Sequence, residues 1–336
     1  MLSENKQVAQ TITQKMMTVC VGRFLIDLPE GAELSFAPAR VASVNVSVEP
    51  GYTAEKYTTE LGQREQVLSQ QKNEYDKPSL EKKILASAVN FQLTILYYGR
   101  EKPLTRIESG QKVVGTDDSI SIEAFGLYQD LLYTFKAEHL ASPRFENHLL
   151  EMVKQFEARS MDSIPSESGF CTEYGLIHDP VPTGKTESIT MFASLKGHPD
   201  LAIRFDTSVN GERLQESLLE RDAKNSVKLE NPNSIKGLRR QQRTVNGIDG
   251  EEVGDKYKET NGTSAHIFTW ASMGKPRDVL APKITLELET GIGRPGQPVN
   301  ASLPDVAVLQ LWDKVAGSIR LRPTSASAGA AEANSR

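Results

Sequence analysis

The chain has 336 residues, with 39 Lys and Arg against 44 Asp and Glu, for a net charge of −5. That length suits two domains that each bury a core, and the mildly acidic balance argues against nucleic acid as a partner. No apolar run is long enough to cross a bilayer, so no transmembrane segment is expected.

Residues 1–17 are polar. They carry Lys6 and Lys15 but no continuous apolar core, so they do not read as a signal peptide. A motif follows, Cys20-Val-Gly-Arg-Phe-Leu25-Ile26-Asp27-Leu-Pro29, and it returns about one domain length later as Cys171-Thr-Glu-Tyr-Gly-Leu176-Ile177-His178-Asp-Pro180. These are the only two cysteines. Two cysteines make neither a disulfide framework nor a zinc site, and their apolar, strand-like settings read as buried free thiols. A disulfide joining the two copies is the alternative in an oxidising compartment.

Behind the first copy, Val41-Ala-Ser-Val44-Asn-Val46-Ser-Val48 alternates as a strand does. A helix is expected over 54–71, then a strand at Leu131-Leu-Tyr133-Thr-Phe135. Ser142-Pro143 supplies an N-cap and N1 proline for a helix carrying Leu149, Leu150, Val153 and Phe156. The polar, proline-containing run 161–168 reads as a linker. Behind the second copy come strands at 189–193 and 201–205 and a helix over 211–225. The basic run from Lys236 to Arg243 lacks interleaved aromatics and reads as a solvated strand. Asn246-Gly and Asn261-Gly262 sit between strand-like runs as hairpin turns. Ile284, Leu286 and Leu288 alternate with polar residues, and Ser302-Leu-Pro-Asp305 opens a helix carrying Leu309, Trp312, Val315 and Ile319.

The fold class expected is α+β. It comprises two similar domains, at 18–160 and 169–323, each an antiparallel sheet covered by helices. They are flanked by the polar segment 1–17 and a Ser/Ala-rich, disordered tail at 324–336. A single larger α+β unit is the alternative.

The catalytic motifs fail one by one. Gly291-Ile-Gly293-Arg-Pro-Gly296 has the spacing of a dinucleotide fingerprint, but Pro295 and Pro298 interrupt the helix it needs. Pro182-Thr-Gly184-Lys185-Thr186 ends like a phosphate loop, yet Asp179 stands where that loop needs a glycine. No nucleophile elbow occurs, and Gly262-Thr-Ser264-Ala-His266 lacks the closing glycine. His139, His148, His178, His198 and His266 have no partners at metal-ligand spacing, so neither metal nor cofactor is expected. Glu251-Glu252 and Asp117-Asp118 read as solvated carboxylates beside turns. His178-Asp179 is the best acid–base candidate, although its counterpart in the first copy is Asp27-Leu28.

Several segments together resemble one family. Thr18 to Pro29 is similar to the opening of the N-terminal domain of type VI secretion immunity proteins that neutralise group-four lipase effectors. Gly169-Phe-Cys171 and Gly175-Leu-Ile-His-Asp-Pro180 resemble the start of that family's C-terminal domain. Asn246-Gly-Ile-Asp-Gly-Glu251-Glu252, Phe268-Thr-Trp270 and the run from Pro282 to Gly291 fit its later part. The resemblance implies a non-catalytic bacterial inhibitor whose two domains form a claw. Such a claw would grip a phospholipase and hinder its lid from opening. It also implies a periplasmic location, although no export signal is visible here, which leaves the cytoplasm as the alternative. No small-molecule substrate is implied.

A gripping surface would draw on loops from both domains. The candidates are 100–118 and 257–277, with Arg106, Tyr257 and Arg277 as side chains suited to anchoring a partner. Two rival readings stand beside this one. They are a hydrolase with a site assembled at the inter-domain cleft around His178 and Asp179, and an envelope structural or adaptor module.

Overall fold

The computed structural model describes residues 2–108, 111–181, 186–209, 216–294, 297 and 299–324. The tail expected to be disordered lies outside this range beyond residue 324, as does the Gly184-Lys185 loop. In chain order, α1 (Leu2–Thr13) precedes β1 (Met16–Val21), β2 (Phe24–Pro29), β3 (Ala32–Phe36), β4 (Ala39–Val41) and β5 (Val44–Pro50). The single strand expected over 41–48 is instead a hairpin. Ala42 and Ser43 form its two-residue turn with φ of 47° and 67°. Primed turns match strand twist but usually announce themselves with Asn or Gly, and neither residue does.

Next come α2 (Ala54–Gln70), β6 (Leu80–Ser87), β7 (Gln92–Glu101), β8 (Thr105–Glu108), β9 (Gln111–Val114), β10 (Asp118–Tyr128), β11 (Leu131–Ser142) and α3 (His148–Gln155). Thr53 caps α2 by accepting from the Lys56 amide at 3.1 Å. Ser142 does not cap α3, against expectation. It ends β11 at a cis Ser142–Pro143 bond, and its hydroxyl donates to Glu146 at 2.6 Å. β12 (Phe156–Ala158), β13 (Gly169–Thr172) and β14 (Gly175–His178) follow.

The remainder runs β15 (Glu187–Leu195), β16 (His198–Ser208), α4 (Leu218–Ala223), α5 (Ser226–Glu230), β17 (Ile235–Gln242), β18 (Glu251–Lys258), β19 (Ser264–Ser272), β20 (Lys283–Thr290), α6 (Asp305–Ser318) and β21 (Arg320–Leu321). The helix expected over 211–225 begins outside the described residues and appears as the two short helices α4 and α5. The basic run is β17, a largely exposed edge strand, as its composition implied.

The chain divides into two compact units, one of Met1–Ala37 with Lys185–Arg336 and one of Pro38–Gly184. Their antiparallel sheets share one plan. The first unit has the order β15-β16-β20-β19-β18-β17, with β3 also pairing β15; the second has β4-β5-β11-β10-β7-β6. Rank by rank, the strands occur in the same chain order, and in both a helical segment precedes the last four. The duplication inferred from two short motifs therefore extends through each sheet.

The units do not coincide with the sequence halves 18–160 and 169–323. The reason is strand pairing. The Cys20 hairpin, β1–β2, is extended by β21, which follows α6 at the C-terminal end of its unit: Leu25 pairs with Arg320 and Phe24 with Leu321. The Cys171 hairpin, β13–β14, is extended by β12, which follows α3: Leu176 pairs with Glu157 and Gly175 with Ala158. Each cysteine hairpin thus completes the helix-and-strand ending of the opposite sequence half. Neither cysteine is a free thiol; both are disulfide-bonded, which corrects the expectation from their apolar settings.

Each unit buries one sheet face under the helix that leads into its added hairpin strand, α6 before β21 in the first and α3 before β12 in the second. In the first, Ala307, Val308, Leu311, Trp312, Val315 and Ala316 of α6 are buried, and the Trp312 ring lies 5.4 Å from Phe268. In the second, Leu149, Met152 and Val153 of α3 are buried. Phe156 packs edge-on against Phe135 at 5.0 Å and Tyr133 at 5.2 Å. Burial of such aromatic clusters is the main force holding each unit.

Candidate functional site

His178 does not stand in a catalytic arrangement. Its Nε2 lies 2.7 Å from Glu157 Oε2 on the neighbouring strand, and Asp179 donates its amide to Ser168 O at 3.2 Å ahead of a cis Asp179–Pro180 bond. Both residues serve the seam of a three-stranded sheet.

A more suggestive trio is His266, Asp305 and Thr290. His266 Nδ1 sits 2.8 Å from Thr290 Oγ1, and its Nε2 sits 3.0 Å from Asp305 Oδ1, which also accepts from Lys256 Nζ at 2.6 Å. The spacing is that of a nucleophile, base and orienting acid. Yet His266 and Thr290 are buried, so no substrate reaches the hydroxyl. Burial pushes the His266 pKa down. The Asp305 carboxyl is held below its usual range by hydrogen bonds from Lys256 and His266, which outweigh its own burial. The trio ties β19 and β20 to the first turn of α6 and is structural.

The motif from Asn246 to Glu252 is structural too. Asn246 donates to Gly317 O at 3.0 Å and Ile319 O at 2.8 Å, closing the C-terminus of α6. Glu252 is fully buried and accepts from Gln241 at 2.9 Å, Arg243 at 3.0 Å and the Trp312 indole. The Trp270 indole donates to Arg243 O at 2.9 Å. Glu252 was expected to be solvated. Its three donors are what allow it to be buried.

Function-bearing surface is better sought where the two units differ. The link between β18 and β19 is a short turn over 259–263, whereas the corresponding link between β7 and β10 contains the extra β8–β9 hairpin. Gly115 N donates to Leu104 O at 2.8 Å and closes the hairpin's base. Leu104, Ile107 and Val114 are 78%, 78% and 57% exposed. Conversely, β10 and β11 join through Gln129-Asp130, whereas β19 and β20 join through a loop over 273–282. Lys275 N donates to Ala281 O at 2.7 Å across that loop, and the Asp278 carboxylate accepts from Leu280 N at 3.0 Å. Gly274, at φ +67°, lets the loop fold back: a Cβ there would lie 2.3 Å from the Pro282 carbonyl carbon.

The segments proposed from sequence, 100–118 and 257–277, overlap these two insertions and fall in different units. Arg106 lies on β8, with its side chain outside the described set. Arg277 is exposed on the 273–282 loop with φ 57°. Tyr257 is not on a loop. It sits half-buried on β18 and lines a cavity of about 340 Å³ beneath α4 and α5, and burial pushes its phenol pKa up. Sequence reasoning missed the exposed apolar trio on the hairpin, although Leu104, Ile107 and Val114 between charged residues were its visible signal.

Residues 17–112 match the Tle cognate immunity protein 4 N-terminal domain and 163–324 match the Tle cognate immunity protein 4 C-terminal domain. The chain belongs to this family. It is therefore an immunity protein, not an enzyme, and its partner is a cognate type VI lipase effector. Among solved structures, the fold resembles that in the crystal structure of the Tle4–Tli4 complex, with a TM-score of 0.74 and 22% identity over 93% of this chain and 99% of that one. It also resembles the apo immunity protein TplEi of the type VI secretion system from Pseudomonas aeruginosa, with a TM-score of 0.72 and 23% identity over 94% and 100%. No curated protein matches the chain. Among the described residues, no helix is long and apolar enough to cross a membrane.

Proposed function

We propose that the protein silences its phospholipase by holding it closed, with contacts from both compact units, in the periplasm. The observation that carries this is the pair of unit-specific insertions on an otherwise duplicated scaffold. Exposed apolar side chains on a closed two-stranded hairpin contribute nothing to a core. Surfaces of that kind mark interaction sites. A lipase must open to admit lipid, so a partner that binds only the closed form lowers activity by population shift, without touching the chemistry. Disulfide-bonded cysteines support the compartment, because such bonds persist where the milieu is oxidising.

The test is to replace 102–117 by the short turn 259–263 from the sister unit. The variant is expected to keep its fold and to lose both lipase binding, read by calorimetry, and inhibition of phospholipid-vesicle hydrolysis. Undiminished binding would remove the hairpin from the interface. Wild-type protein that neither binds nor inhibits the lipase would refute the reading altogether.

A further inference from the structure

In each unit a helical crossover leads from the second strand of the sheet to its far edge, and the two crossovers are held down by different forces. In the second unit the crossover is α2, one helix of 17 residues that buries Leu68. Its Tyr57 hydroxyl donates to Phe125 O at 3.1 Å, and its Arg64 grips Glu123 in a bidentate pair at 2.9 and 2.8 Å. In the first unit the crossover is α4 and α5, of six and five residues, and neither buries an apolar residue. Val227 and Leu229 on α5 are exposed, and Leu218 on α4 is only half-buried.

Charge holds this second kind of crossover in place. Lys228 of α5 pairs with Asp222 of α4 and with Asp255 of β18, and the three side chains are 13%, 6% and 4% exposed. Arg240, on the edge strand β17, brings another cation to Asp222. Burial works against the Lys228 ammonium, but the two carboxylates raise its pKa above the ordinary value, so it stays charged. The Leu219 amide donates to Glu251 at 2.8 Å and ties down the start of α4. The cavity of about 340 Å³ lies between these helices and the outer sheet face, where β18 presents Val253 and Tyr257.

A segment with few buried apolar contacts opens at a lower free energy than the core around it. A buried ion pair fixes geometry but adds little net stability, because desolvation offsets the attraction. From this arrangement we infer that residues 217–230 form a lid, latched to the sheet by Lys228, that lifts as one piece while the sheet and α6 stay folded. Lifting uncovers Val253 and Tyr257, so the latch controls access to the outer face of β18. The sister crossover has no such freedom, because α2 cannot rise without exposing Leu68.

The experiment uses the full chain and a small thiol reagent, to which the two native cysteines are silent because both are disulfide-bonded. Val253→Cys places a thiol beneath the lid, and Val308→Cys places one on the buried face of α6, where only opening of the core reaches it. Val253→Cys is expected to react at least about tenfold faster than Val308→Cys. Adding Lys228→Gln leaves Asp255 buried without its cation, a cost that lifting relieves by letting water in. It is expected to speed the reaction of Val253→Cys by about tenfold more and to leave that of Val308→Cys within about twofold. Equal rates at the two positions in otherwise unaltered protein overturn the inference, and this comparison stands even if the Lys228→Gln variant does not fold. An unlatched variant that speeds neither thiol, or both equally, overturns it too.

Discussion

The two cysteine hairpins share a register and differ in how they are filled. Cys20 pairs with Leu25 and Val19 with Ile26; Cys171 pairs with Leu176 and Phe170 with Ile177. A helix followed by a short strand adds to each on the same side, and the helix caps, Ile319 and Phe156, hold matching places. The bulky ring comes from different chain segments. In the first hairpin it is Phe24, on β2. In the second that position is Gly175, and the ring of Phe156 occupies the space where its Cβ would be, 2.3 Å away. Duplicated backbones thus persist while the packing partners trade size, as dense cores require.

The turns diverge more sharply. The first places Arg23 against Glu187 in a bidentate pair at 2.7 and 2.6 Å, with side chains 9% and 5% exposed. The second places Glu173 and Tyr174, and burial pushes the Glu173 carboxyl up to about 7. One turn has a buried charge with its counter-ion. The other has a carboxyl that favours its neutral form.

Breaking the paired turn has the largest expected effect. Arg23→Ala leaves the Glu187 carboxylate buried without its bidentate partner. Urea unfolding is expected to show a loss of about 3–5 kcal/mol. A loss below about 1 kcal/mol would mean the pair is solvated and the contrast between the turns is false.

The size trade comes next. Gly175→Val drives a side chain into the Phe156 ring and is expected to cost about 1–3 kcal/mol by overpacking. Adding Phe156→Leu should recover part of that loss, and a double-mutant cycle would show coupling of about 1 kcal/mol or more. Strictly additive costs would mean the two residues do not share one space.

How much of this was legible follows from the kind of signal each feature leaves. Asn246-Gly247, both at positive φ, marked its turn because a primed turn wants those residues, and Asn261-Gly262 marked the 259–263 link through Gly262 at φ +89°. The alternation Ile284, Leu286, Leu288 marked β20 because one face is buried. The Ala42-Ser43 turn left no such mark. The unit boundaries were illegible for another reason. They depend on β21 pairing with β2 and β12 pairing with β14, and register between distant strands is not written in local periodicity. As binding candidates, sequence nominated two loop segments, one per half, with Arg106, Tyr257 and Arg277 as their anchoring side chains. It could not separate Tyr257, whose side chain is taken up by a helix-covered cavity, from Arg277, which stands free on an inserted loop. That distinction needs the sister unit for comparison.

The smallest expected effect tests the second turn. Because burial raises the folded-state pKa of Glu173 from 4.5 to about 7, the folded protein holds a proton there that the unfolded chain releases between those values. Stability from this group is therefore full below about pH 4.5 and is lost as pH rises through about 7. Glu173→Gln is expected to be neutral near pH 4 and stabilising at pH 8, by on the order of 1 kcal/mol once solvent screening of a half-exposed group is allowed for. The corresponding change at the counter-ion of the first turn, Glu187→Gln on β15, should destabilise at pH 8, since Arg23 in that turn needs a charged partner. Opposite signs for a turn carboxyl in one hairpin and for the counter-ion of the turn arginine in the other would show that the turn residues and their partners, and not the shared backbone, decide how each hairpin responds to pH.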